Sequence, residues 1–580
     1  NKLVISYVGY QTQTLVINKA VFKVKLNDNV ITKTELNVVA KKMVKTSGLA
    51  IPEHEMSFST QGISAKDFEG LGITSVDEAL QGRIAGLDIV TNSGDLGAGT
   101  QMRLRGTTSI SEHVSNEPLI VVNNEILTDV SSNDIANLGL SEGSANEEKF
   151  AELLKVNPED IAEIRVLKDA AATAIWGVRG ANGVIEITTK RGSKGPARVT
   201  YTGRFTASVQ PEAIKLLTGD QYTMMLKEAY FNPKLSDTDG DIPELNYDYG
   251  GFTEAYMYDN NTDWLSLVKQ TGFNQAHTVT VSGGDDKTHF RISGGFDHQL
   301  GSVIKQKMDR FTSRMALDYF VSDRIKVTSD LSVSYTDNRR NADGLIDIGY
   351  RKMPNLSPYY EYVNDVWSDD YYYMLRTAGS PISKPSTDDN RLSDQKGIAN
   401  PLASANLAKN QSRNFDLGTN LALEYDLLGI DNNKTRLTYR GSVNINSSSS
   451  YSNDDRPREL MMSNGDFLNA HSSSASSSKS LSFSTRHNLN FVPVFKNRDH
   501  YATMQASFQL SRSTNSSQNT SGKRLPEGIT DPSAGGLIGG MGSSWGEGKS
   551  MAYYYTTHYS YKGRYVLGGT LRMDGTTRLG

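Results

Sequence analysis

Three short stretches carry residue types that do chemistry elsewhere, and each lacks a part that its chemistry requires. Gly542-Ser543-Ser544-Trp545-Gly546 has the spacing G-x-S-x-G, which in hydrolases exposes a serine nucleophile on a strained turn between a strand and a helix. Here it lies in a glycine- and serine-rich stretch, which reads as a loop rather than a nucleophile elbow. Asp237, Asp239 and Asp241 alternate as calcium ligands do, but Gly240 is misplaced for an EF-hand loop and no Glu closes it, so an acidic surface turn is the simpler reading. His54-Glu55 lacks the second histidine of H-E-x-x-H. The chain has no cysteine, which removes disulfides, thiolate metal sites and cysteine nucleophiles together. The sequence therefore points to no catalytic residue, no metal and no cofactor, and to a protein that is not an enzyme.

Two other stretches suggest binding. Between 338 and 412 lie Tyr359, Tyr360, Tyr362, Trp367, Tyr371, Tyr372 and Tyr373. Such rings stack on sugars or bury against a partner, because both need a large rigid face with a polar tip; a loop that packs on itself is the competing reading. In the aperiodic stretch 27–58, the residues Thr34, Glu35, Leu36, Asn37, Val38, Val39 and Ala40 form a β-prone segment flanked by Lys33, Lys41 and Lys42. It reads as extended and unpaired, the form in which a segment adds as a strand to another protein, and an ordinary linker is the alternative.

The elements that hold these stretches change character along the chain. From 59 to 194 the pattern is mixed. Ser75 to Gly86 reads as a helix with Ser75 as N-cap and Glu78 in the capping-box position, while LDIV, QMRLRG, PLIVVN and GVIEITTK read as strands. From Arg198 onward strict alternation takes over: Val199, Tyr201, Phe205 and Val209 fall on one face, and Thr200, Thr202, Arg204 and Thr206 on the other. About eleven such segments follow, from 198–209 to 564–574, most near the roughly 10 residues of a tilted membrane strand. Tight connections at Gly283–Asp286 and Ser322-Asp323 alternate with long ones at 338–412 and 513–549. Tyr319, Phe320, Tyr335, Tyr425, Tyr501, Tyr553 to Tyr555 and Tyr565 sit near strand ends, as interfacial girdles do. No apolar run approaches the roughly 20 residues of a spanning helix, but barrel strands escape that test. A net charge of −4, with Lys and Arg dispersed, argues against nucleic acid.

The ordered blocks ALQGRIAGLDIV (79–90), RLRGTTSI (103–110), PLIVVNNEIL (118–127) and NPEDIAEIRVLKDAAATAIWGVRGANGVIEITTKRG (157–192) closely resemble the plug of SusC/RagA-type TonB-dependent outer-membrane transporters. SYVGYQTQ at Ser6 to Gln13 resembles the end of that family's carboxypeptidase-regulatory-like domain, and LRMDGTTRLG at Leu571 to Gly580 a strand near mid-barrel. The resemblance implies a membrane β-barrel with an N-terminal α/β plug in its lumen: 1–27 as the tail of a small β-sandwich domain, 28–58 as a linker with the TonB box at Thr34 to Ala40, 59–195 as plug, and 196–580 as the N-terminal half of the barrel. A plugged transporter has about 22 strands, so about half are expected here, with the closing strands beyond Gly580. Gly82, Gly106, Gly180 and Gly183 are expected in plug turns and close packing, and Arg103 and Arg105 as plug cations facing wall carboxylates. The implied localisation is the cell outer membrane. The implied partners are TonB with its inner-membrane motor, a SusD-like lipoprotein, outer-membrane lipids, and an oligosaccharide or peptide cargo. Two other readings stand beside it: a structural or assembly subunit of an outer-membrane complex, and a secreted β-rich adhesin or lectin.

Overall fold

The computed structural model describes residues 2–5, 13–16, 43–46, 49–52, 55, 60–68, 76–91, 96, 100–107, 116–127, 156–231, 260–340, 344–359, 398–431, 433–457, 460, 471–497 and 499–577. The Thr34 to Ala40 segment, Tyr360 to Tyr373 and Asp237 to Asp241 lie outside them.

Two small hairpins come first, β1 (Lys2–Ile5) with β2 (Gln13–Val16) and β3 (Met43–Thr46) with β4 (Leu49–Pro52). A five-stranded sheet follows, built from β5 (Thr60–Ser64), β8 (Leu119–Val122), β9 (Glu125–Ile126), β10 (Ile161–Leu167) and β11 (Val184–Thr189) in the order β5-β10-β11-β8-β9. β11 and β8 run parallel and the other neighbours antiparallel. A separate pair, β6 (Leu87–Thr91) with β7 (Thr100–Leu104), packs its Leu87, Ile89, Met102 and Leu104 with Ile164, Val166, Ile185 and Ile187 of the sheet and with Val76, Ala79 and Leu80. These are aliphatic side chains taken out of water, each fully buried one stabilising by about 1.5–3 kcal/mol. The helix expected from Ser75 to Gly86 is only Val76–Leu80. The chain then leaves it through turns in which Gly82 and Gly86 both adopt positive φ, a conformation that cannot continue a right-handed helix.

The rest of the described chain is dominated by one antiparallel meander of eleven strands: β12 (Gly195–Ser208), β13 (Gly272–Gly284), β14 (Thr288–Leu300), β15 (Lys307–Ser322), β16 (Ile325–Arg340), β17 (Lys409–Leu428), β18 (Arg436–Arg456), β19 (Ser472–Val492), β20 (His500–Lys523), β21 (Leu537–Tyr561) and β22 (Tyr565–Thr576). Each strand pairs with its neighbours in sequence. Its two faces are inverted relative to a water-soluble sheet. Phe205, Phe296, Phe311, Leu423, Leu481 and Leu571 are exposed, whereas Thr280, Asp297, Arg310, Asp330, Gln505 and Ser507 are buried. The apolar face is a lipid-facing one and the polar face lines a lumen, as in outer-membrane barrels. A soluble lectin-like sandwich would bury the apolar face instead.

The short connections are at one rim, where Asp285 accepts backbone hydrogen bonds from Lys287 (2.9 Å) and Thr288 (2.6 Å). Those backbone donors hold the Asp285 carboxyl below its ordinary pKa. At the other rim, parts of the long connections form a helical layer. Trp264 packs on Met353 and Leu356, and Leu345 on Val303 and Ala405. The stretch 513–549, expected as a loop, is mostly strand, because β20 runs on to Lys523 and β21 begins at Leu537. Gly542 to Gly546 therefore lie within β21, with no helix after them. Two of the girdle tyrosines also differ from expectation: Tyr554 is buried and Tyr501 packs against His558, while Tyr319, Tyr335, Tyr425, Tyr553, Tyr555 and Tyr565 are exposed.

Candidate functional site

The five-stranded domain meets the polar face of the meander, and the contacts between them are built mainly from charges and amides, with Leu96 against Met308 as an apolar contact among the described residues. The first anchor is the turn entering β10. Asn157 caps the 3-10 helix Pro158–Asp160 by accepting from the Glu159 amide at 3.0 Å, which leaves its amide group free to donate to Thr278 Oγ1 of β13 at 3.3 Å. Gly295 on β14 permits this approach, since a Cβ there would stand 2.5 Å from Asn157 Nδ2. Three residues on, Asp160 accepts from Arg291 Nη2 at 3.0 Å and from Ser293 Oγ at 2.6 Å. Its side chain is 5% exposed and that of Arg291 13%. Breaking a pair this buried by truncating one partner costs about 3–5 kcal/mol, because the other charge is left unpaired.

The second anchor lies where the chain passes from β11 into β12. Arg191 donates to Asp318 through Nε (3.2 Å) and Nη2 (2.9 Å), and to Asp330 through Nη1 (3.0 Å). Arg314 also pairs with Asp330 (2.9 Å) and Lys326 with Asp318 (3.3 Å). Five charges thus form one connected network, and the two carboxylates are held by three cations. The planar guanidinium of Arg191 suits this role because it bridges two acceptors in fixed geometry.

A third set of contacts is made by the β8–β9 turn, whose Asn123 and Asn124 both have positive φ, as a tight two-residue hairpin turn requires. The turn places Glu125 3.4 Å from Ser442 Oγ, 3.5 Å from Asn444 Nδ2 and 3.5 Å from Ser484 Oγ, while Arg486 donates to the Asn124 carbonyl. The Arg486 guanidinium also lies over the Trp176 ring at 5.2 Å, and Arg572 of β22 donates to the Ile175 carbonyl. Once water can reach them, hydrogen bonds of this kind exchange with water at a net cost of about 1–3 kcal/mol each.

The residues singled out in the sequence take different places. Gly82, Gly106 and Gly183 have positive φ; at Gly183 a Cβ would also stand 2.2 Å from Leu104 Cδ2. Gly180 is a close approach, with the Thr173 carbonyl 2.9 Å from a would-be Cβ. Arg105 pairs at 2.5 Å with Asp169, within the same domain, and Arg103 donates to Gln101. The wall contacts are instead made by Asn157, Asp160, Arg191 and Glu125. Two of these stand at the head of the block 157–192, and their wall partners occupy the polar positions of alternating strands. Of the aromatic cluster, only Tyr359 is among the described residues, and it is partly exposed. No group of metal-ligating side chains occurs among the described residues.

Residues 52–184 match the family model of the TonB-dependent Receptor Plug Domain. The TonB-dependent receptor SusC of Bacteroides thetaiotaomicron is 30% identical over 425 residues, covering 73% of this chain and 38% of SusC. Among solved structures, the RagAB peptide transporter superposes with a TM-score of 0.63 at 20% identity, covering 90% of this chain and 56% of that one. The RagAB importer in its open-open state gives 0.66 at 19%, covering 92% and 56%. The chain thus spans well under half of SusC and just over half of the RagAB chain. These relatives are named as a receptor and as transporters, and the structural matches share the fold of this chain.

Proposed function

The chain belongs with the SusC/RagA-type TonB-dependent receptors of the outer membrane, and on that premise we propose that it takes part in active import of an oligosaccharide or peptide too large for passive pores. The domain boundaries proposed are 1–27, 28–58, 59–195 and 196–580, with 59–195 as a plug that closes the lumen until it is pulled. The observation that carries this reading is the polar character of the plug–wall contacts, led by Asp160 with Arg291 and Arg191 with Asp318 and Asp330. Such an interface positions a plug firmly at rest yet lets water replace its contacts when a load arrives.

The load enters through the segment Thr34 to Ala40, which adds as a strand to TonB; main-chain hydrogen bonds across such a pairing resist a pull along the chain. No bond in the cargo is made or broken. The aromatic residues Tyr359, Tyr360, Tyr362, Trp367, Tyr371, Tyr372 and Tyr373 are the ones proposed to meet cargo or a SusD-like lipoprotein that closes over the mouth. The name of one relative, a peptide transporter, and the saccharide-compatible aromatic cluster support the two cargo classes equally.

Deleting Thr34 to Ala40 from the full protein tests the reading. Growth on the oligosaccharide or peptide mixture that the parent supports as sole carbon source should be lost, while the amount of barrel in the outer membrane stays the same. Unchanged growth refutes it.

A further inference from the structure

Between the Thr34 to Ala40 segment and β5, the described residues include a buried ion pair with the wall. Glu55 Oε2 lies 3.3 Å from His558 Nε2 of β21, with side chains 2% and 4% exposed. The ring of Tyr501, on the neighbouring strand β20, meets the imidazole edge-on at 6.2 Å. His558 stands close to the tight turn at Lys562 and Gly563 that joins β21 to β22, so the pair sits at the short-connection rim of the lumen. Just before it, β4 packs beside β20, and its Leu49 and Ile51 are buried.

We propose that Glu55 and His558 form a latch that ties the leading end of the plug to the rim of the wall and must open before the plug can move. The proposal rests on the import reading, and its argument is mechanical. A pull arriving from residue 42 meets the β3–β4 hairpin first. Met43 pairs with Pro52 at the open end of that hairpin, so tension applied across 42 and 53 opens it one bond at a time, the geometry in which paired strands resist least. The next fixed point is Glu55. There the carboxylate cannot leave its partner until water reaches it, because carrying a bare charge through a water-poor site is costly. The load therefore concentrates on the Glu55–His558 contact before it reaches the sheet that begins at β5.

These 580 residues contain no cysteine, and the test uses the full protein, with any cysteine outside them replaced by serine, reconstituted in bilayers and pulled from its N-terminal side in a force microscope. The parent should show a rupture event after hairpin opening and before plug unfolding. In Glu55→Ala that event should disappear, and in the oxidised double variant Glu55→Cys/His558→Cys it should be replaced by a block that reductant removes. Trypsin should also cut after Lys45 at least several-fold faster in Glu55→Ala than in the parent, provided the barrel is intact by its resistance to SDS at room temperature. An unchanged force trace together with an unchanged cleavage rate overturns the latch. Neither readout needs cargo or TonB, so this failure is distinct from failure of the import reading, which the deletion of Thr34 to Ala40 reports.

Discussion

The plug and the wall are made by the same two-residue alternation of side chains, yet they are inside out with respect to one another. In the plug, Ile164, Val166, Ile185 and Ile187 are sealed from solvent, and burial of aliphatic surface holds the sheet together. In the wall, Phe296, Leu423 and Leu571 face outward while Asp297, Arg310 and Gln505 are buried. The difference shows that the wall was shaped by two solvents, lipid on one side and a hydrated lumen on the other, and the plug by one. It follows that the plug's stability lies in packing, whereas the wall's interior is held by polar pairs such as Arg310 with Asp297 at 2.7 Å.

Placing charge on equivalent apolar positions of the two regions sharpens this contrast. Ile164→Asp puts an unpaired carboxylate in the plug core and should cost more than about 4 kcal/mol, enough to unfold the plug; plug proteolysis in an otherwise SDS-resistant barrel is the expected readout, and a protected plug would contradict the packing account. Leu421→Arg, on the outward apolar face of β17 between the rim aromatics Phe415 and Tyr425, should cost less, about 2–4 kcal/mol, measured by urea titration of folding into lipid vesicles. No penalty there would mean that this face does not meet hydrocarbon. The smallest effect belongs to the helical layer outside the wall, which packs as the plug does. Lys352 is buried with Nζ 2.7 Å from the Ile398 carbonyl, and burial lowers its pKa from 10.5 to about 8. Because the folded value lies below the unfolded one, the charged side chain costs stability below pH 8, and that cost fades as pH rises from about 8 toward 10.5. Amide exchange in Leu345–Arg351, corrected for intrinsic rate, should therefore slow between pH 7.5 and pH 9.5, and Lys352→Met should remove this dependence.

Most of the wall was legible because lipid on one face and water on the other write a strong alternation into each strand. Where the strands have polar residues on both faces, that signal vanishes: the Ser, Asn and Gly residues of 514–523 and 540–549 read as loop but are paired as strand. The plug glycines were also legible, since positive φ at Gly82, Gly106 and Gly183 is a local demand of the backbone. The contacts of Asp160 and Arg191 were not. Each depends on a partner more than a hundred residues away, and neither residue differs in type from the many charges that stay on the surface. Arg105 shows the converse, a charge whose position in a plug motif suggested the wall and whose partner, Asp169, lies in its own domain.

The strictly sequential pairing of β12 to β22 has a consequence for the order of assembly. Every hairpin of the meander closes between neighbours in the chain, which keeps the loop-closure cost of each step low. The plug–wall contacts span very different lengths: 131 residues for Asp160 with Arg291, 319 for Glu125 with Asn444 and 503 for Glu55 with His558. As the wall grows, the turn at Asp160 finds its partners once β14 is in place, the β8–β9 turn must wait for β18, and Glu55 can dock only after β21. The plug is thus fastened first at Asp160, beside its exit into the wall, while the Arg572–Ile175 contact waits for β22; the contact that a pull on the N-terminus reaches first is among those made late, with β21.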